Sequence, residues 1–210
     1  MRSFPLALAA LAALVTACST LPLPPGGIVA PSRNWRLVAT AADRARLAGW
    51  RSSLVAGLAE GRAAGHGAEI DREGILLAPD LPPRVAPLPN GPYRCRTIKL
   101  GHRSAAGGLD YIVYPPFECR VGQERDVQGF AKTGGSQRPI GLVFPDSPTR
   151  QLFLGTLTLG DERAAMLYGH DAERDLAAWV EPLGDGRWRM VFPDPAFESR
   201  ADVIELVPAR

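Results

Sequence analysis

Residues 93–121 read YRCRTIKLGHRSAAGGLDYIVYPPFECRV, and this stretch decides the fold. Tyr93, Cys95 and Thr97 alternate with Arg94 and Arg96, so an extended chain here has one apolar and one charged face. Phe117, Cys119 and Val121 alternate in the same way with Glu118 and Arg120. Between them Leu109, Tyr111 and Val113 share a face until Pro115 and Pro116 stop the run. Cys95 and Cys119 therefore both lie on apolar strand faces, and facing Cβ atoms are what a disulfide requires. Closing a loop of about 25 residues should stabilise the fold by roughly 3–3.5 kcal/mol. The spacing is not Cys-x-x-Cys and no histidine set stands nearby, so a redox or metal pair is disfavoured.

A disulfide implies an oxidising compartment, and the N-terminus has the form of an export signal. Arg2 is followed by an apolar run from Phe4 to Val15, too short for a comfortable membrane span. Val15-Thr16-Ala17 before Cys18 looks like the lipobox of bacterial lipoproteins, in which the cysteine thiol receives the lipid and becomes the new N-terminus. Residues 1–17 are thus read as a lipoprotein signal peptide and Cys18 as the site of lipid attachment. Its use as an anchor leaves Cys95 and Cys119 as an even pair. Ser19 in place of aspartate points to the outer membrane, by likeness to known lipoproteins. Residues 18–34 contain Pro22, Pro24, Pro25, Gly26, Gly27 and Pro31 and read as a semi-extended tether.

Downstream, residues 35–80 form a helical segment. Thr40 and Asp43 stand at capping-box spacing, and Leu47, Trp50, Leu54 and Leu58 make one apolar stripe on a helix expected from Ala41 to Ala64. A shorter helix is expected from Glu69 to Glu73. The stripe needs a surface to cover it, and the sheet is the expected one. Residues 81–92 hold Pro82, Pro83, Pro87, Pro89 and Pro92 and read as a linker into the β domain, residues 93–210. There, Ile140, Leu142 and Phe144 alternate, and so do Phe153, Gly155, Leu157 and Leu159 against Leu154, Thr156 and Thr158. A short strand is expected at Met166–Tyr168. Gly184-Asp185-Gly186 is a hairpin turn that pairs Trp179–Glu181 with Arg187–Phe192, placing Trp188, Met190 and Phe192 inside. Val203–Val207 is the last strand. The fold class is mainly β with an N-terminal helical segment (α+β): an antiparallel, lipocalin-like β-barrel, with a β-sandwich as the alternative.

Charge excludes one class of partner. The chain carries 24 basic and 22 acidic residues, a formal +2, which is not the balance of a nucleic-acid or polybasic membrane binder. Lysine is rare and arginine supplies most positive charge. No nucleophile–base–acid set, metal-ligand spacing or cofactor motif is legible, so catalytic residues, metal and cofactors are all read as none. Gly134-Gly135-Ser136-Gln137-Arg138 lacks the lysine and the strand–helix context of a P-loop. Residues 168–175, with Tyr168, His170, Asp171, Arg174 and Asp175, concentrate polar groups; were they helical, Asp171 and Asp175 would share a face.

Several stretches together resemble a bacterial family, domain of unknown function 4893. They are residues 93–101 and 114–119, the most specific, with Ser136–Pro139, Phe153–Gly155, Leu159–Glu162, Arg174–Asp175 and Glu205–Pro208. The resemblance spans roughly Ala41 to the C-terminus. It implies an exported proteobacterial protein and carries no reaction, ligand or catalytic residue. At the level of fold alone, the chain is also similar to small periplasmic β-barrels, including lipocalin-like protease inhibitors of the bacterial envelope.

The functional expectation is a lipoprotein anchored to the membrane through Cys18 and facing the periplasm. Its non-catalytic β domain binds a small amphipathic or anionic ligand, or an envelope protein. The candidate ligand-binding residues are Tyr114, Ser136, Gln137, Arg138, Tyr168, His170, Arg174 and Trp179. Two alternatives stand beside it: a periplasmic hydrolase using the His170–Asp175 region, and a structural or assembly factor that presents the Leu47–Leu58 helix face to a partner.

Overall fold

The computed structural model describes residues 32–104, 108 and 110–209. Cys18, the signal peptide and the tether up to residue 31 lie outside the described residues, as does Leu109. Among the described residues, nine strands follow a helical segment: β1 (Gly91–Leu100), β2 (Tyr111–Val113), β3 (Phe117–Glu124), β4 (Val127–Lys132), β5 (Gln137–Ser147), β6 (Arg150–Leu159), β7 (Asp175–Gly184), β8 (Arg187–Pro193) and β9 (Ala201–Pro208). From β3 to β9 each strand pairs antiparallel with the next, and β1 pairs with both β3 and β9. Eight strands therefore close into a barrel, which settles barrel against sandwich. The expected disulfide is formed between Cys95 and Cys119, with Cα atoms 5.9 Å apart.

Closure requires a bent sheet, and glycine supplies part of it. Gly141 of β5 pairs with Gly155 of β6. A Cβ on either would come within 2.2 Å of a neighbouring carbonyl oxygen, that of Leu154 or Ile140, so only glycine permits this approach. The Phe153 ring lies over the space a Gly155 side chain would fill. It stacks edge-on with Phe130 and Phe192, both at 5.7 Å between centroids, at the heart of the interior.

The predicted Asp-Gly hairpin forms, with Val180 opposite Met190 and Glu181 opposite Arg189. Trp188, Met190 and Phe192 point inward with Tyr93, Cys95, Phe130, Phe153 and Ile204. β4 was not foreseen from the sequence. Its inward set is Gln128, Phe130 and Lys132, and two polar residues of three break the apolar alternation by which strands are recognised. Met166–Tyr168 forms a turn region rather than a strand.

The helical segment is divided. A 3-10 turn at Trp35–Leu37 precedes α1 (Ala41–Ala48), α2 (Trp50–Gly61) and α3 (Gly67–Glu73). Thr40 caps α1 by accepting the Asp43 N–H, at 3.1 Å. The long helix expected from the stripe breaks at Gly49, which ends α1 and begins α2. The stripe is nonetheless covered as expected. Leu54 and Leu58 pack with Ile98, Leu100, Val191 and Val203 on the outer face of the barrel. Leu47 packs with Phe144, Leu152, Leu154 and Trp179. Leu47, Leu54 and Leu58 are thus buried against the barrel, and Trp50 is partly buried. Arg189 is fully buried on this outer face, where Glu181 neutralises it at 2.8 Å and the Leu76 and Ala78 carbonyls accept its remaining N–H groups.

Residues 81–90 do more than link. Leu88 is buried with the interior cluster, its N–H donating to Gln151 and its carbonyl accepting from Gln128. Trp188 Nε1 donates to the Ala86 carbonyl at 2.9 Å and Tyr93 OH to the Pro89 carbonyl at 2.6 Å. The segment stoppers one end of the barrel, at the start of β1 and β8. The other end stays open.

Candidate functional site

The open end is a cavity of about 180 Å³. Its walls come from the ends of the strands. β1 contributes Thr97 and Lys99, β4 Lys132, β5 Gln137 and Pro139, β6 Leu157, β7 Leu176, β8 Phe192, and β9 Asp202 and Ile204. Tyr114, Phe117 and Ser136 form one side of the rim, and the β8–β9 loop supplies Pro195, Phe197 and Glu198 on another. An apolar body of Leu157, Leu176, Phe192 and Ile204 thus ends in a rim holding two lysines.

These are the only two lysines in the chain, against 22 arginines. Both face the lumen, and their surroundings differ. Lys99 is 3 % exposed. Its ammonium lies 3.0 Å from Asp202 and 3.3 Å from Glu198. Burial disfavours its charge, but the two carboxylates outweigh that and hold its pKa above the ordinary value. Asp202 also accepts from the Ser199 hydroxyl, and burial pushes its own pKa up despite Lys99.

Lys132 is 7 % exposed. Its ammonium donates to the carbonyls of Gly134, at 2.7 Å, and Gln137, at 2.9 Å, and stands 4.2 Å from the Phe117 ring centroid. No carboxylate pairs with it among the described residues. Burial, then the positive charges of Arg138 and Lys99, lower its pKa to about 8. It is a desolvated cation on a cavity wall, compensated only by dipoles and a ring.

Of the sequence-derived candidates, the structure brings Tyr114, Ser136 and Gln137 together at this cavity. Arg138 stands beside it with its guanidinium committed. It donates to the carbonyls of Gly135, Leu159, Gly160 and Glu162, tying the β4–β5 and β6–β7 connections together. Arg174 is held by Glu162 at 2.9 Å and by the Leu157 carbonyl. Trp179 and Tyr168 lie on the outer face. Trp179 packs edge-on against Trp35 and donates to the Leu47 carbonyl. Tyr168 donates to buried Asp43 at 2.5 Å.

His170 is exposed on a turn, and Asp175 is buried, accepting from the Gly169 N–H. The helix that would have aligned Asp171 with Asp175 does not form; Asp175 opens β7. Sequence reasoning missed Lys99, Lys132 and Asp202. The signal available for the first two was the use of lysine at two inward strand positions in an arginine-rich chain.

Compared with known proteins, the chain matches the family model described as Domain of unknown function (DUF4893) over residues 35–206. No curated protein and no solved structure matches it.

Proposed function

The chain belongs to the DUF4893 family, and from that premise we propose that it is a cell-envelope lipoprotein whose barrel binds a small amphipathic ligand with an anionic end. The protein is anchored by lipid on Cys18, faces the periplasm and is sorted to the outer membrane, and the barrel is not catalytic. The ligand's apolar part lies between Leu157, Leu176, Phe192 and Ile204, and its anion meets Lys132 at the rim, beside Ser136, Gln137 and Tyr114.

The observation that carries this reading is Lys132: a cation buried in a cavity wall without a carboxylate partner. Burying an unpaired charge is costly, and an incoming anion would recover that cost. The choice of residue fits as well. Arginine, used everywhere else, would keep a planar fork that bonds several fixed acceptors; the compact ammonium of lysine leaves room for a ligand.

The test uses 8-anilinonaphthalene-1-sulfonate, an amphipathic organic anion whose fluorescence rises in apolar sites. The folded protein should bind one equivalent, and Lys132→Met should weaken binding at least tenfold while keeping its near-ultraviolet circular dichroism. Equal binding by Lys132→Met, or no binding by the wild type, would overturn the site. Intact mass of protein from its own envelope tests the anchor: cleavage before Cys18 with added acyl mass is expected, and an unmodified thiol refutes it.

A further inference from the structure

Outside the barrel mouth, Glu60, His102 and Asp110 meet where β1 leaves the sheet. One donor atom of each lies within 4.8 Å of the other two. Glu60 comes from the last turn of α2, and His102 and Asp110 come from the two ends of the β1–β2 connection. From these residues we propose a binding site for a divalent transition-metal ion of the Zn²⁺ class.

The first argument is geometric. Two donors about 2.0 Å from Zn²⁺ in a tetrahedral arrangement stand roughly 3.3 Å apart. The donors here bracket that value: His102 Nδ1 is 2.5 Å from Asp110 Oδ1, and no pair exceeds 4.8 Å. All three side chains are half-buried, so shifts of under an ångström suffice. The backbone is shaped around the cluster. Gly101 has φ of 64°, and a Cβ there would lie 2.6 Å from Glu60 Oε2, so this turn admits the carboxylate only because it is glycine. Glu60 Oε2 also accepts the His102 N–H at 3.0 Å.

The second argument is charge. At Glu73 and Glu205 two carboxylates meet two arginines, Arg96 and Arg187, and at Asp202 and Glu198 two share the buried Lys99. At Glu60 and Asp110 the one arginine among the described residues is Arg200, on Glu60 at 3.1 Å, and its side chain is 43 % exposed. Asp110 accepts only from the imidazole among the described side chains. Two carboxylates and a ring nitrogen turned toward them form a mixed nitrogen–oxygen set that suits Zn²⁺ and leaves a fourth position for water.

The site would brace the rim of the cavity. Arg103, next to His102, donates its N–H to the Glu198 carbonyl at 2.9 Å, and Arg200 donates its N–H to the Leu100 carbonyl. The loop carrying His102 is thus bonded to the β8–β9 loop that forms one wall of the mouth.

The test is calorimetric titration with Zn²⁺ of protein stripped by a chelator, repeated with Co²⁺ to read the visible bands of a low-coordinate site. One ion per chain is expected, with a Kd below about 10 μM. His102→Ala should weaken it at least tenfold, and Asp110→Asn, which keeps the side-chain shape, should do so too if His102→Ala fails to fold. His170→Ala, on an exposed turn outside the cluster, should bind as the wild type does. No uptake by the wild type, or unchanged binding by His102→Ala or Asp110→Asn, would overturn the site and leave a hydrogen bond between His102 and Asp110 and an ion pair between Glu60 and Arg200.

Discussion

Lys99 and Asp202 stand directly opposite each other across the β1–β9 seam that closes the barrel, joined at 3.0 Å inside the lumen. Removing one partner of a buried pair leaves the other without compensation, typically at a cost of about 3–5 kcal/mol. Lys99→Met should therefore lose a substantial part of that range in urea unfolding at pH 7. Its pH dependence is diagnostic. The folded-state pKa of Asp202 is already raised by burial, and losing Lys99 raises it further. A carboxyl with a higher pKa folded than unfolded binds more protons in the folded state, so stability falls as pH rises through that window. Lys99→Met should be closest to wild type near pH 4 and lose ground toward neutrality. A deficit independent of pH would mean that Asp202 is not the group left stranded.

Lys132 gives the opposite slope. Its pKa is lowered from 10.5 to about 8 in the folded protein, so between those values the unfolded chain binds more protons and stability rises with pH. Below pH 8 the full cost of the buried charge is present. Because Lys132→Met lacks this contribution, the wild type should gain on the variant as pH rises from 8 to 10.5, as read from paired urea midpoints. Over the same rise, wild-type affinity for 8-anilinonaphthalene-1-sulfonate should fall, approaching tenfold per pH unit as the ammonium is lost. Affinity that stays flat across pH 8 would place the anion on another group.

Much of this was legible in the sequence where one face of a strand is polar. Arg94 and Arg96, Glu118 and Arg120, and Arg187 and Arg189 mark the outer face, and from them the disulfide and the Trp188–Phe192 strand follow. Where helices cover the outer face, both sides of a strand are apolar and alternation loses its direction. On β7, Leu176, Ala178 and Val180 point in while Ala177 and Trp179 point out under α1, so Trp179 read equally well as a lumen residue. Tyr168 is similar, with its hydroxyl on a carboxylate 125 positions away. The lysines invert the usual rule that charged side chains at alternating strand positions face solvent: Lys99 and Lys132 both line the mouth.

Glu198 places a carboxylate in the cavity lining, where its negative charge opposes an incoming anion. Its carboxylate is 3.3 Å from Lys99, yet its side chain is 58 % exposed and its backbone is left-handed, with φ of 71°. Such a conformation is strained for glutamate. Lys99 keeps Asp202 if Glu198 is removed, so the core pair survives. Glu198→Gln should tighten binding of 8-anilinonaphthalene-1-sulfonate by several-fold, and Glu198→Gly should do so with no loss of stability, because glycine relieves the strain. Weaker binding by Glu198→Gln would make Glu198 a ligand contact rather than a competitor.

Cys95 and Cys119 sit at a fork in the sheet. β1 pairs with β3 only from Gly91 to Cys95, and beyond that, from Ile98, the same edge pairs with β2. Cys95 pairs with Phe117, whose ring lines the mouth and faces Lys132. The disulfide therefore runs diagonally, from Cys95 on the last rung before the strands part to Cys119, which pairs with Tyr93. The double substitution Cys95→Ala with Cys119→Ala should cost about 3 kcal/mol, or roughly 6–12 °C in Tm for a domain of this size. Freeing the fork should also loosen Phe117 and Tyr114, so affinity for the anionic probe should fall even at temperatures where the variant is fully folded. Lower stability with unchanged affinity would confine the bond to holding the sheet closed; lower affinity as well would make it part of the shape of the mouth.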